Sequence, residues 1–210
     1  GSVQQIAMAA AAQHRNIRIH TGLVTDAVLE PLASGALSAS PGAIVTGTAI
    51  GTQPLYDAAG SDPRFSFQPV SVTHSVPVIA AIPRFMAING GIEVDLFGQL
   101  NSEWVKGRQV ASTGGLGNFV RGAGLSAGGR SIIALPATAR GGTISRIVPR
   151  LDVPAVTLPR SEAGFVVTEH GIADLAGADI DTRAERLIAI AAPEFRDQLA
   201  DDWARLRAAL

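Results

Sequence analysis

The stretch "RQVASTGGLGNFVRGAGLSAGGRSIIALP", residues 108–136, decides the fold class. Its two ends, 108–113 and 131–136, are rich in apolar and β-branched side chains, and both predict strands. A glycine-rich loop and a helix-like stretch lie between them. A strand that leads into a helix and then into another strand is the repeating unit of α/β proteins. The stretch therefore predicts an α/β fold.

The same alternation continues in both directions along the chain. Helices are predicted over 3–13 and 24–35, and a last helix begins at Pro193. The residues "NGG", 89–91, separate two strand-like runs and predict a hairpin. We expect a mixed, largely buried sheet with helices on both faces. No linker composition divides the chain, so residues 1–210 are predicted to form a single domain.

Two shorter segments carry local expectations. Thr182 and Glu185 have the spacing of a capping box at the start of a helix. The run "VPVIAAI", 76–82, fits a buried strand or a helix equally well, because its periodicity distinguishes neither.

Composition excludes several classes of function. The chain is 47% hydrophobic and carries a formal net charge of −1, which argues against disorder and against binding to nucleic acid or an anionic membrane. It has no cysteine, so disulfides, zinc–thiolate sites and thiol nucleophiles are excluded. That composition fits a reducing compartment, and we expect a cytoplasmic protein.

The glycine-rich loop is the first candidate for chemistry. Gly114, Gly115 and Gly117 follow a predicted strand and precede a helix. Glycine allows backbone N–H groups to approach a phosphate or an oxyanion, and a helix N-terminus adds positive potential. The spacing matches neither the dinucleotide-binding nor the P-loop pattern. A tight turn under a packed sheet explains the glycines as well.

A basic stretch is the second candidate. Residues 130–160 contain five arginines and one acid. The turn "ARGG", 139–142, is its most phosphate-like element, because the guanidinium of Arg140 lies beside the exposed backbone of Gly141. Solvated strand ends and surface ion pairs are the alternative.

Carboxylates and histidines form the remaining candidates. Glu93 and Asp95 share one face of a predicted strand, as a site or as an ordinary polar face. His20 and His74 are candidate acid–base groups, although a hydrogen-bonded structural histidine is the common alternative. No two histidines have metal-ligand spacing, and no metal is expected.

Several long segments, in order, carry a family resemblance. From about residue 16 to 200 the chain resembles the C-terminal half of the acetyl-CoA hydrolase/CoA-transferase family, which includes 4-hydroxybutyrate, succinyl and acetate CoA-transferases. The segments are "IRIHTGLVTDAV" (17–28), "GTQPLYD" (51–57), "INGGIEVDLFGQLNSE" (88–103), the stretch from Gly107 to Gly142, "SRIVP" (145–149), "VVTEHGIADLAG" (166–177) and "RAERLIAIAAPEFRDQL" (183–199).

The resemblance implies an open mixed α/β sheet with flanking helices, of the class-I CoA-transferase type. It also implies an acyl-CoA substrate, a carboxylic acid acceptor, and an active site between this half and an N-terminal half or partner subunit in an oligomer. In the family a glutamate attacks the thioester, and the glycine-rich loop binds the oxyanion. Gly115 matches the oxyanion donor, with Gly114 and Gly117 beside it. Arg140 and Gly141 match a contact to the phosphates of CoA.

Two departures from the family pattern concern the nucleophile. Aligning "IHTGLVTDAV" with the family's motif puts Gly22 where the glutamate is expected, and His74 stands where an asparagine is common. Three interpretations follow. The chain uses water or another route with His74 or His20 as general base, a nearby acid such as Glu93 substitutes for the glutamate, or this half is a non-catalytic CoA-binding subunit.

Overall fold

The computed structural model describes residues 2–210, and its secondary structure consists of short elements. The helices are α1 (Ser2–Ala11), a 3-10 turn (Asp26–Val28), α2 (Leu29–Ala33), α3 (Gln53–Ser61), α4 (Val70–Thr73), α5 (Val76–Ala80), α6 (Leu116–Leu125), α7 (Ile180–Ala189) and α8 (Pro193–Arg207). The strands are β1 (Ile19–His20), β2 (Leu23–Val24), β3 (Ile44–Thr46), β4 (Thr48–Ala49), β5 (Phe65–Phe67), β6 (Met86–Gly90), β7 (Glu93–Asp95), β8 (Leu100–Asn101), β9 (Trp104–Val105), β10 (Arg108–Gln109), β11 (Arg130–Ala134), β12 (Thr138–Ala139), β13 (Ile144–Ser145), β14 (Ile147–Val148), β15 (Phe165–Thr168) and β16 (Gly171–Asp174). None of the helices in this range is both long and apolar enough to cross a membrane.

The largest sheet contains four strands in the order β16-β15-β11-β6. β6, β11 and β15 are parallel, and β16 runs antiparallel to β15. Ile133, Val166 and Ala173 point to one face of this sheet and belong to the main apolar core. α6 and α7 pack on the sheet, against β11 and β16 respectively. The predicted mixed α/β sheet with flanking helices is confirmed.

The opposite face of the same sheet departs from the expectation of helices on both faces. α1 packs beside β6, where Val3 lies close to Gly90. At the other edge Ile172 is 69% exposed. The alternation of strand residues thus gives this face apolar side chains that the described residues cover only in part.

A second, smaller sheet carries the N-terminal part of the chain. β1, β3 and β5 are parallel, with β3 in the middle. Val28, Ile44 and Leu55 form the centre of its separate apolar core. At the carboxyl end of β1 the chain turns sharply at Gly22, whose carbonyl accepts a hydrogen bond from the N–H of Gly47 at 3.2 Å. The carboxyl ends of parallel strands are where open α/β sheets place their ligands.

Close packing of α5 on α6 joins the two parts of the chain. A Cβ at Gly122 would lie 2.5 Å from the Cβ of Ile79, which is fully buried. The two helix backbones therefore approach closely only because residue 122 has no side chain. His74 lies two residues before α5, so this contact brings it to the start of α6.

The predicted hairpin at "NGG" is wrong. Asn89 and Gly90 continue β6, which pairs in parallel with β11. The chain then crosses to another sheet at Gly91, where a Cβ would lie 2.7 Å from Leu100 Cδ1. The turn glycines reflect this tight crossing. The hairpin lies further along the chain, where β7 and β8 are joined by a turn that begins at Asp95.

Three local predictions are corrected or decided. The cap of α7 is Asp179, whose carboxylate accepts from the N–H of Thr182, so the capping box at Thr182 is wrong. Residues 24–35 form a 3-10 turn and the five-residue α2 in place of one helix. Val76–Ala80 is a helix, which decides the segment that periodicity left open.

The contact of α5 with α6 predicts opposite effects for two glycines of α6. Gly122→Ala would press a methyl group into Ile79, and we expect it to lower the free energy of unfolding by about 1–3 kcal/mol. Gly124→Ala is the control, because nothing lies within 4 Å of its Cβ position. It should be neutral or stabilise by up to about 1 kcal/mol through helix propensity. Urea unfolding of both variants checks this, and equal effects would contradict it.

Candidate active site

The imidazole of His74 fills the space between two glycines from distant parts of the chain. A Cβ at Gly22 would lie 2.5 Å from Cε1 and 2.8 Å from Nε2 of His74. A Cβ at Gly115 would lie 2.5 Å from the same Nε2. Neither glycine has a left-handed φ. Glycine is therefore required at both positions by the ring and not by the backbone conformation.

Hydrogen bonds on both sides fix His74 at the end of α4. Its Nδ1 lies 2.9 Å from the hydroxyl of Thr73, which is fully buried. Its carbonyl accepts from the side-chain amide of Asn118 at 2.8 Å. The edge of Phe119 packs against the ring, with centroids 5.1 Å apart. Among residues 2–210 no group hydrogen-bonds to Nε2, so this nitrogen lies between Gly22 and Gly115 without a protein partner.

The bond to Thr73 allows two proton arrangements. If Nδ1–H donates to the hydroxyl oxygen, Nε2 of the neutral ring carries a lone pair and can accept a proton. If the hydroxyl donates to Nδ1, Nε2 carries the proton and can donate to a carbonyl oxygen. In either arrangement Nε2 occupies the same position between Gly22 and Gly115, and Thr73 orients the ring.

His20 lies beside this histidine but is engaged differently. Its Nε2 donates to the carbonyl oxygen of Thr73 at 2.9 Å. Phe85 and Phe119 pack edge-on against its ring. Burial lowers the pKa of His20; the bond to Thr73 opposes this, and the nearby His74 lowers the pKa further. His20 is therefore neutral at pH 7, and it supports the backbone that carries His74.

The glycine-rich loop turns directly into α6 beside the His74 ring. Gly114 adopts a φ of +52°, which favours glycine, and Gly115 caps the helix. The N–H groups of Gly114, Gly115 and Gly117 donate to no protein group in the described part of the chain. The first turn of α6 thus presents free N–H donors and its positive dipole end toward the space beside Nε2.

The basic turn is a separate feature. Arg140 and Gly141 form the exposed tip of the β12–β13 hairpin, with φ of +50° and +65°. No contact joins Arg140 to His74 within residues 2–210. Arg146, from the same basic stretch, is structural, because its guanidinium donates to the carbonyls of Thr138 and Ile92.

The paired carboxylates of β7 are structural. Asp95 is fully buried and accepts from the N–H groups of Phe97, Gln99 and Leu151. Glu93 accepts from the amide of Asn101 at 3.3 Å. Within residues 2–210 neither carboxylate forms a hydrogen bond or an ion pair with His74. Across residues 2–210, no three His, Asp or Glu side chains are grouped to hold a metal ion.

Three contributors to the site escape sequence reasoning. Thr73, Asn118 and Phe119 are ordinary residues of helices, and their roles depend on the approach of α4 to α6. A signal existed for Asn118 and Phe119, since both lie within the glycine-rich segment, but not for Thr73. The sequence predicted Gly22, His74 and Gly115 separately, and the structure brings these three together.

The comparisons with known proteins identify the family. Residues 51–203 match the model of the acetyl-CoA hydrolase/transferase C-terminal domain. The chain therefore belongs to this family, as its sequence resemblance implied.

Solved and curated relatives agree with that assignment. The chain is 39% identical over 195 residues to the 4-hydroxybutyrate coenzyme A transferase of Clostridium kluyveri, covering 90% of this chain and 46% of the relative. The crystal structure of RipA from Yersinia pestis superposes with a TM-score of 0.91 at 34% identity, over 97% of this chain and 47% of that one. The 4-hydroxybutyrate CoA-transferase of Porphyromonas gingivalis gives 0.83 at 35%, over 98% and 49%. This chain spans about half the length of these relatives.

The packing of His74 against Gly22 predicts a strong energetic coupling. Gly22→Ala should lower the free energy of unfolding by about 1–3 kcal/mol, because the methyl group must displace the imidazole. In a His74→Ala background the space is free, and most of that cost should disappear, giving a coupling of about 1 kcal/mol or more.

Urea unfolding of the four proteins in this cycle measures the coupling. Gly60→Ala serves as the control, because its Cβ position is open and its effect should be the same in both backgrounds. An identical cost of Gly22→Ala with and without the imidazole would contradict the packing.

Proposed function

We propose that this chain carries out CoA-thioester chemistry without a glutamate nucleophile, with His74 as the general base in thioester hydrolysis. The observation that carries the proposal is the position of the imidazole. Gly22 is where the resemblance places the family's glutamate, and His74 fills the space that a side chain at residue 22 would enter. The geometry favours His74 over His20, because Nε2 of His20 already donates to the carbonyl of Thr73 and its ring is packed between Phe85 and Phe119.

The proposed reaction uses water in place of the glutamate. Nε2 of His74 accepts a proton from water while the water oxygen bonds to the thioester carbonyl carbon, and Thr73 accepts a hydrogen bond from Nδ1. The carbonyl oxygen becomes an oxyanion, which the N–H of Gly115 stabilises beside Gly114 and Gly117. The carbon–sulfur bond then breaks, the imidazolium returns its proton to the departing thiolate, and free CoA and a carboxylic acid result.

Arg140 and Gly141 are proposed to contact the phosphates of CoA. The guanidinium is exposed at the hairpin tip, next to two glycines that leave the backbone open. An exposed, positively charged tip suits the pyrophosphate or 3′-phosphate of CoA, since both are dianionic or nearly so. The pantetheine arm would then extend from this tip and carry the thioester to His74.

Two alternative functions are a CoA-transferase with a displaced nucleophile and a non-catalytic CoA-binding subunit. A CoA-transferase with a displaced nucleophile would need an acid near His74, and the carboxylate of Glu93 is instead bonded to Asn101. A non-catalytic CoA-binding subunit is favoured by Gly22, which provides no nucleophile where the resemblance places the family's glutamate. We propose that a polypeptide equivalent to the relatives' N-terminal half completes the site in a cytoplasmic oligomer.

The role of His74 predicts a large loss of activity in one variant. With a broad panel of acyl-CoAs, His74→Ala should release free CoA about 10²–10⁴-fold more slowly, because the proton acceptor is removed. His170→Ala is the matched control: this exposed histidine lies beside Glu169 and away from the site, so its rate should be unchanged.

Two further assays distinguish hydrolysis from the two alternative functions: one adds a carboxylic acid acceptor, and the other adds the partner polypeptide. Product formation that requires an added carboxylic acid would favour the transferase. Turnover that occurs only with the partner polypeptide, and that survives His74→Ala, would favour the non-catalytic subunit. Unchanged hydrolysis in His74→Ala removes the assignment of the base.

A further inference from the structure

Two arginines lie close together at the turn that joins β7 to β8, and neither has an acidic partner. Arg160, the last arginine of the basic stretch, comes from the loop that leads into β15, and Arg183 comes from the first turn of α7. Among residues 2–210 neither guanidinium forms an ion pair with a carboxylate. Neighbouring like charges repel, so this pair is unfavourable unless an anion joins it.

Hydrogen bonds to the backbone fix the guanidinium of Arg183. Its Nε donates to the carbonyl of Ala178 at 3.0 Å, and its Nη1 donates to the carbonyl of Arg160 at 2.7 Å. Gly98, in the turn after β7, leaves room for it, since a Cβ there would lie 3.1 Å from Nη1. Burial lowers the pKa of Arg183, and the nearby Arg160 lowers it further. The chain therefore holds this positive charge in a position where nothing of its own neutralises it.

The guanidinium of Arg160 rests on an aromatic ring and keeps its donors free. Its Cζ lies 5.9 Å from the centroid of the Phe97 ring. The edge of Trp203 packs against the same ring, with centroids 5.3 Å apart, so the aromatic platform is itself supported. A guanidinium that stacks on an aromatic face can still donate through the N–H groups in its own plane. The side chain of Arg160 is exposed, so these donors are accessible to a ligand.

The acidic residues nearest in sequence to the two arginines are engaged elsewhere. Glu162 pairs with Arg121 at 2.9 Å. Asp181 pairs with Arg207 at 2.9 Å. The carboxylate of Asp179 caps α7. The cluster thus carries two positive charges, and guanidinium groups bind phosphate oxygens through paired N–H donors. A phosphate dianion matches both charges, whereas a single carboxylate would neutralise only one of them.

We propose that Arg160 and Arg183 form a binding site for a phosphate group, distinct from the site at His74. Arg160 supplies the paired N–H donors, and Arg183 supplies the second positive charge. Two sources share this ligand chemistry: a separate phosphate compound, and the 3′-phosphate of CoA. The proposal does not rest on the chemistry of His74, since no hydrogen bond or ring contact within residues 2–210 joins either arginine to that histidine.

Thermal unfolding in rising concentrations of inorganic phosphate, at constant ionic strength and neutral pH, tests the site. A ligand that binds only the native state raises the unfolding midpoint, and we expect phosphate to raise that of the original protein by about 2–4 °C more than that of Arg160→Gln. This substitution removes the guanidinium but keeps the backbone carbonyl that accepts from Arg183. Without phosphate, Arg160→Gln should unfold at the same temperature or higher, because a repulsive neighbour of Arg183 is gone.

Arg205→Gln is the matched control for the loss of one arginine. This exposed residue of α8 pairs with Asp202 and lies outside the proposed site, so the variant should keep the full response to phosphate. Phosphate also stabilises folded proteins in general, because it is excluded from their surface. That general effect is the same in both variants, and the difference between them therefore measures binding at Arg160.

CoA and dephospho-CoA identify the source of the phosphate group. If the site takes the 3′-phosphate, CoA should stabilise the original protein more than dephospho-CoA does, and Arg160→Gln should abolish that difference. If it takes a separate compound, Arg160→Gln should abolish the response to inorganic phosphate and leave both CoA responses unchanged. Two results would overturn the proposal: equal phosphate responses in Arg160→Gln and Arg205→Gln, or a response that is lost in Arg140→Gln and kept in Arg160→Gln.

Discussion

The site depends on one packing constraint, the insertion of the His74 imidazole between the backbones at Gly22 and Gly115. Either glycine with a Cβ would collide with the ring. The constraint links three segments that are far apart in sequence: the turn after β1, the end of α4 and the start of α6. A nucleophilic side chain at residue 22 and an imidazole at residue 74 are therefore mutually exclusive in this arrangement.

A small set of neighbouring contacts holds these three segments in place. The absent side chain of Gly122 lets α6 approach α5 at Ile79, and Asn118 then reaches the carbonyl of His74. Thr73 bonds to one histidine through its hydroxyl and to the other through its carbonyl. Because Thr73 is fully buried, both bonds are protected from water, which strengthens their orienting effect.

The fold class could be predicted from the sequence because strand and helix alternation is a local signal. Gly115 could be named from its glycine-rich loop and His74 from its acid–base chemistry, whereas Gly22 became a candidate only through the family resemblance. Their convergence could not, since it depends on contacts between residues 40 or more positions apart. The hairpin prediction at "NGG" was wrong for a related reason. A glycine can occupy a hairpin turn or a crossing between sheets, and only the packing of Gly91 on Leu100 decides which. The partly covered face of the four-stranded sheet could not be predicted either, because the apolar sequences of its strands are typical of strands that are buried on both faces.

An exchange of the two side chains is the sharpest test of whether the His74 imidazole excludes a glutamate at residue 22. Gly22→Glu with His74→Asn removes the ring and supplies a carboxylate in the same space, and intact-mass spectrometry after incubation with an acyl-CoA reports covalent attachment of CoA through a glutamyl thioester. We expect an adduct in the double variant, and none in the original protein or in Gly22→Glu alone, where the imidazole still fills the site. An adduct on the original protein would contradict it, as would a folded, CoA-binding double variant that forms none.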